Sequence, residues 1–208
     1  MKKKLIIIGA GGFSKSIIDS VNYNEMELVG FIDTFKQGYH QSYPIIANDI
    51  NELENPQDYV YFIGVGEPKA RFHFLRLLKE YNLALVNIID STALLSRNVE
   101  LGDGIYIGKM CIVNSDTKLS DGVVINTRSL IEHGNSIGYC SNISTNVVLN
   151  GDVKVGSCSF IGSCTVVNGQ ITIGSETTIG SGSVVIRNID NKVVVAGSPT
   201  RLIREIKS

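Results

Sequence analysis

The chain has no tryptophan, only four prolines and four cysteines among 208 residues, and no apolar run long enough to cross a bilayer. The absence of tryptophan and the scarcity of proline decide nothing about function, whereas the cysteines, the charge and the apolar runs exclude more. Cys111, Cys140, Cys158 and Cys164 form no C-x-x-C pair and have no histidine set at zinc-site spacing, so they read as reduced, partly buried thiols. A formal net charge of -1 provides no global attraction for nucleic acid. The start, Met1-Lys2-Lys3-Lys4 followed by Leu5-Ile6-Ile7-Ile8, has the order of a signal peptide, but the apolar run stops at Gly9. Four residues are too few for a secretory core or a membrane span. The segment reads as the first strand of a folded domain, with no membrane insertion, in a cytoplasmic protein.

What is present is a period of six. Leucine, isoleucine or valine occupies every sixth position over residues 89–185: Ile89, Leu95, Leu101, Ile107, Val113, Leu119, Ile125, Ile131, Ile137, Ile143, Leu149, Val155, Ile161, Val167, Ile173, Ile179 and Val185. A helix repeats every 3.6 residues and a flat strand every 2, so neither selects this pattern. A coiled array of short strands does.

Residues 1–88 follow another rule, an alternation of strands and helices. Strands are expected over 4–8, 28–32, 59–63 and 84–89, with helices over 14–22 and after Pro68. This order predicts a small, mostly parallel sheet with right-handed crossovers. Ligands of such sheets bind at the carboxyl ends of the strands, where Gly11, Gly12, Asp33, Thr34, Gly64 and Gly66 converge. Two readings of these residues stand: a nucleotide site in which backbone N–H groups and a helix N-terminus approach a diphosphate, or simple tight turns. The third glycine of a dinucleotide fingerprint is missing, with Ser14 in its place, which argues against an NAD enzyme.

Within the repeats, glycine often follows the large aliphatic, and a small or β-branched residue often precedes it by two, as in Ile137-Gly138-Tyr139-Cys140-Ser141-Asn142 and Ile173-Gly174-Ser175-Glu176-Thr177-Thr178. Such units resemble the hexapeptide-repeat family, in which three hexads make one triangular coil of a left-handed parallel β-helix. Residues eighteen apart then lie over one another at the inter-strand spacing of about 4.8 Å. The expected fold is an α/β Rossmann-like domain over 1–88, then a left-handed β-helix with a C-terminal cap over 89–208. The last segment, 200–206, is expected to form a short basic helix.

The whole chain resembles bacterial nucleotide-sugar N-acetyltransferases of the sialic acid O-acetyltransferase-like group. The carriers are Ile8-Gly9-Ala10-Gly11-Gly12-Phe13, Phe31-Ile32-Asp33, Gly64-Val65-Gly66, Ile131-Glu132-His133 and Val195-Ala196-Gly197-Ser198-Pro199. The resemblance implies transfer of acetyl from acetyl-CoA to an amine on a nucleotide-linked 4-amino-4,6-dideoxy sugar, with His133 as general base in a homotrimer whose active sites lie between subunits. It places Asn142, Ser163 and Ser181 at coenzyme A, and Gly11, Gly12, Phe13, Asp33, Thr34 and Gly66 at the nucleotide-sugar. No metal is implied. An imidazole of pKa about 6.5 suits proton removal from an attacking amine at neutral pH. With no Ser or Cys visibly paired to His133, direct transfer is expected.

Two departures from the family pattern stand out. Gly134 occupies the place where many members carry an acidic residue, leaving Glu132, a backbone carbonyl or a neighbouring subunit to orient His133. Phe13 replaces a histidine. Gly151 and Gly169 lie eighteen and thirty-six residues after His133. They read either as a groove for the pantetheine arm or as corner turns requiring positive φ. The repeats hold one histidine, so a three-histidine zinc hydratase is excluded. O-acetylation of sialic acid, and a catalytically silent nucleotide-sugar-binding protein, are the competing readings.

Overall fold

Leu5, Ile6, Ile7 and Ile8 are all buried because their strand, β1 (Lys3–Ile8), lies between two parallel neighbours with apolar clusters on both sides. A computed structural model describes residues 1–206. β1 pairs with β2 (Met26–Ile32) on one side and, introducing the remaining elements in chain order after α1 (Gly12–Ser20), β3 (Tyr39–His40) and β4 (Tyr43–Ala47), with β5 (Val60–Ile63) on the other. After α2 (Pro68–Glu80) comes β6 (Ala84–Leu85), and the sheet order is β3-β4-β2-β1-β5-β6. The alternation of β1 divides the core as strand geometry demands. Leu5 and Ile7 pack with Ile17 of α1, whereas Ile6 and Ile8 pack with Leu75 and Leu78 of α2.

The β3–β4 hairpin was not expected from the sequence. Its turn residues are Gln41 and Ser42, both at positive φ (48° and 67°), without the glycine or asparagine that normally marks such a turn. The helix expected over 14–22 begins earlier, at Gly12, which puts the glycine turn at its N-terminus. The strand expected over 84–89 is two strands, with the second, Ile88–Ile89, already part of the first coil.

The remainder is a left-handed parallel β-helix. Three sheets form the faces of a triangular prism. Face one runs from Ile88–Ile89 through Tyr106–Ile107, Val124–Ile125 and Asn142–Ile143 to Val193–Ala196. Face two begins at Leu94–Leu95 and includes Leu130–Ile131. Face three begins at Glu100–Leu101 and includes Ser136–Ile137. Registers step by eighteen, as in Tyr106 opposite Val124 and Leu130 opposite Val148. Every aliphatic of the six-residue series lies in or against one core cluster. Buried hydroxyls two residues before those aliphatics tie coils together: Ser129, Ser141 and Ser159 donate to the carbonyls of Ser144, Gly156 and Gly174 at 2.6–2.7 Å.

At each edge of the prism the chain turns through one residue of positive φ, every sixth from Asn98 to Gly182. Gly134 (φ 68°) is one of these, and a Cβ there would run into the carboxylate of Asp152, one coil on. The α/β domain covers the upper part of face one. Its core includes Ile88, Tyr106 and Val124, and Phe13 meets the Tyr106 ring edge-on with centroids 5.2 Å apart. At the lower end, the expected basic helix is instead a strand, Arg201–Glu205, antiparallel to Val193–Ala196. The last coil leaves a row of unpaired backbone groups, and a folded-back strand satisfies them where a helix would not.

Candidate active site

The strand ends form a cavity of 490 Å³ at the top of the parallel sheet. Gly11, Gly12, Phe13, Asp33, Thr34 and Gly66, all singled out from the sequence, line it together. Gly9 makes the geometry possible. Its φ is 96°, and a Cβ there would come within 3.0 Å of the Val65 side chain. Gly11 and Gly12 have nothing within 4 Å of a Cβ position, so their backbone faces open space at the start of α1. Gly66 lies opposite, its Cβ position 4.0 Å from that of Phe13.

Asp33 braces this cavity. Its Oδ2 accepts from the Ala10 N–H at 2.7 Å, and its Oδ1 accepts from the N–H groups of Phe35 and Lys36, both at 3.0 Å. Partial burial pushes the carboxyl towards protonation, but these three N–H groups and the Lys36 charge outweigh it and hold the pKa below the ordinary carboxylate value. Most of its accepting capacity therefore serves the two loops of the cavity, a role the sequence reading had not given it.

Ser14, in the place of the missing third glycine, is fully buried and donates to the Gly11 carbonyl at 2.7 Å. Its single proton is thus committed, so His40 Nε2, 2.9 Å away, donates to Ser14. Burial, together with Lys36 and Lys15, lowers the His40 pKa and favours the neutral ring. His40 was missed because it arrives from the unmarked hairpin. Phe35, Asn48, Asp49, Phe74 and Leu77 complete the wall, and Phe35 is 93% exposed at its rim. Nothing in their local sequence marks them, since separate elements bring them together.

His133 stands on the edge between faces two and three, exposed to solvent. Its ring lies over Gly151, where a Cβ would be 2.6 Å from Cε1 and 2.8 Å from Nε2. The space left by Gly151 is therefore the seat of the imidazole and not an open groove. The corner-turn reading also changes: positive φ falls on the following residues, Asp152 (61°) and Gln170 (62°), and not on Gly151 or Gly169. Glu132 does not meet the imidazole; its Oε2 accepts from Asn114 Nδ2 at 3.0 Å, and Asn114 Oδ1 accepts from Ser96 at 3.2 Å. Among the described residues, no side chain or carbonyl of the same chain hydrogen-bonds the His133 ring.

Ser163 and Ser181 lie on a different edge, between faces one and two, half-buried and exposed respectively. Asn142 is on face one, 5% exposed, and its Nδ2 donates to Ser144 Oγ at 3.1 Å. The residues expected at coenzyme A are thus not gathered around His133 within one chain.

Residues 4–78 match the family model described as the PglD N-terminal domain. Nearly the whole chain is similar to the acetyltransferase domain of PglB from Neisseria gonorrhoeae, with 26% identity and a TM-score of 0.93 over 97% of this chain and 100% of that one. The same domain in complex with acetyl coenzyme A matches at 27% and 0.92, over 98% and 100%. PerB from Caulobacter crescentus, solved with CoA and GDP-perosamine, matches at 26% and 0.91 over 96% of each chain. A 102-residue stretch is 30% identical to an uncharacterized protein of Acanthamoeba polyphaga mimivirus; it spans 49% of this chain and 20% of that protein's length. Residues 4–78 thus carry a PglD-type N-terminal domain, and the chain as a whole is similar to acetyltransferases that place such a domain ahead of a β-helix.

Proposed function

We propose that the protein transfers the acetyl group of acetyl-CoA to the amine of a nucleotide-linked 4-amino-4,6-dideoxy sugar, in a homotrimer whose active sites lie between subunits. The observation that carries this reading is the separation of two parts. The cavity belongs to a domain seated on face one, while His133 stands on the edge opposite that face. On this reading a second copy brings its His133 to the acceptor.

Face two supplies the surface for that copy. Its outward positions are Leu94, Ile112, Leu130, Val148, Val166 and Val184, with Leu94 65% and Ile112 37% exposed. The outward positions of face three, Glu100, Lys118, Ser136, Lys154 and Thr172, are polar. A stripe of aliphatics on a face that no other part of the chain covers is the mark of an interface. This face runs from the edge of His133 to the edge of Ser163 and Ser181, so burying it brings a neighbour alongside both. The site of acetyl-CoA is assigned there, and the acceptor to the cavity. PglB with acetyl coenzyme A and PerB with CoA and GDP-perosamine support both assignments by similarity.

In the transfer, the sugar amine attacks the thioester carbonyl and its nitrogen loses a proton to the His133 imidazole. The oxyanion needs one fixed N–H donor. Collapse of the tetrahedral intermediate forms the amide, breaks the carbon–sulfur bond and returns the proton to the departing thiolate. Among the described residues no group of the same chain hydrogen-bonds the His133 ring, so its nitrogens are open to the acceptor amine.

The test is a panel of UDP-, dTDP- and GDP-linked 4-amino-4,6-dideoxyhexoses with acetyl-CoA, monitored for free thiol, alongside sialic acid as acceptor. Thiol release with an amino sugar, lowered at least about a hundredfold in kcat by His133→Ala, supports the reading. Release with sialic acid alone selects O-acetylation, and no release with any acceptor favours a binding protein.

A further inference from the structure

Arg71, on α2, is the largest fully buried side chain among the described residues, and it pairs with no carboxylate among them. All its hydrogen bonds go to backbone carbonyls. Nη1 donates to Val65 at 2.8 Å and to Gly66 at 3.0 Å, in the loop that lines the cavity. Nε donates to Gly122 and Nη2 to Cys140, both at 2.8 Å, on the β-helix edge between faces three and one. A buried cation is expensive to desolvate, and packing alone would be served better by an apolar side chain. Only a planar fork with several donors joins four carbonyls from two domains.

Resting on the reading of the cavity as the nucleotide-sugar site, we propose that Arg71 is a positioning residue that sets the Val65–Glu67 loop to receive the anionic part of the acceptor. A trans peptide directs its N–H opposite to its C=O. With the carbonyls of Val65 and Gly66 drawn back onto the guanidinium, the N–H groups of Gly66 and Glu67 point away from it, on the side where Val65 and Gly66 line the cavity. Neither amide has an acceptor in the chain among the described residues. The loop thus presents two free donors at the start of α2, facing the glycine turn of α1, with the Arg71 charge behind them, while the Glu67 carboxylate is turned onto the Ala70 N–H as the cap of α2. The same fork anchors the loop to the β-helix, so the acceptor is held at a fixed height on the prism.

The experiment compares Arg71→Lys with a double variant, Lys69→Ala with Lys79→Ala. The lysine keeps the charge but cannot span both pairs of carbonyls. The double variant removes the ion pairs to Glu176 and Asp121, which also join the domains, and leaves Arg71 in place. Arg71→Lys should raise KM for the nucleotide amino sugar by about tenfold or more, leaving kcat and KM for acetyl-CoA within about twofold; the double variant should change none of them. Equal effects in both would reduce Arg71 to a domain tie and overturn the proposal, as would an unchanged KM in Arg71→Lys. Should Arg71→Lys fail to fold, amide hydrogen exchange on the wild-type protein decides. Gly66 and Glu67 should exchange rapidly when free and become protected by saturating acceptor, and an absence of protection overturns the proposal. A wild-type protein silent with every acceptor sinks the functional reading and this one with it; an active one with an unmoved KM sinks only this.

Discussion

The His133 ring rests on the α-carbon of Gly151, one coil below, with no room between them for a methyl group: its carbon would lie 2.6 Å from Cε1. Gly151→Ala therefore has to move the ring. The φ at Gly151 lies outside the left-handed region, so the backbone tolerates alanine there and folding should be preserved. A base displaced by about 1 Å loses on the order of a hundredfold in rate. We expect kcat to fall by that order with KM for acetyl-CoA unchanged, measured by thiol release. A raised KM with intact kcat would instead restore the groove for the pantetheine arm.

Asp33 yields a prediction with a pH signature. Its carboxylate accepts three backbone N–H bonds, which asparagine cannot reproduce because its amide nitrogen would face donors. Asp33→Asn should cost about 1–3 kcal/mol in stability at neutral pH. Because the folded pKa is lowered, this stabilisation is fully present above the unfolded value of about 4 and is lost as pH falls through the folded value. Thermal melts of wild type and variant should thus differ most near pH 7 and converge in acid. A gap in Tm that does not narrow at all as pH falls from 7 through the acid range would show that the ionised form is not what the loops require.

The period of six made the β-helix legible because each coil repeats one physical demand, an aliphatic turned inward, seventeen times in register. The cavity was legible for a related reason: Gly11, Gly12, Asp33 and Gly66 sit at strand ends, whose convergence follows from parallel topology. The β3–β4 hairpin turns on Gln41 and Ser42, which carry no turn signal, so His40 stayed hidden. Arg71 reads locally as one of several basic residues of an amphipathic helix; only the docking of two domains makes it central. Glu132 illustrates the opposite error. Adjacency in sequence suggested a partner for His133, but stacking by eighteen gives the carboxylate to Asn114. The tail failed because its composition suited a helix, whereas the open edge at Val193–Ala196 demanded a strand.

With His133 on the edge of the prism opposite the face that carries the cavity domain, the proposed function makes a prediction that no single-chain site shares. His133→Ala removes the imidazole but leaves the cavity. Gly12→Trp starts from an open Cβ position, with nothing within 4 Å, and puts a large side chain into the cavity that Gly12 lines. Each variant alone should be nearly inactive. Mixed by co-expression or by dissociation and reassembly, they should, on the proposed assembly, form trimers in which some sites combine an intact cavity from one chain with an intact His133 from the next. For equal, random mixing in a ring, about a quarter of sites are whole, so thiol release should recover to about that fraction of wild type. Introducing Ile112→Glu into both chains places a charge on the aliphatic stripe of face two, and sedimentation should then show monomers with no recovery. Mixing that restores nothing, in variants proven to assemble, would mean that each chain completes its own site.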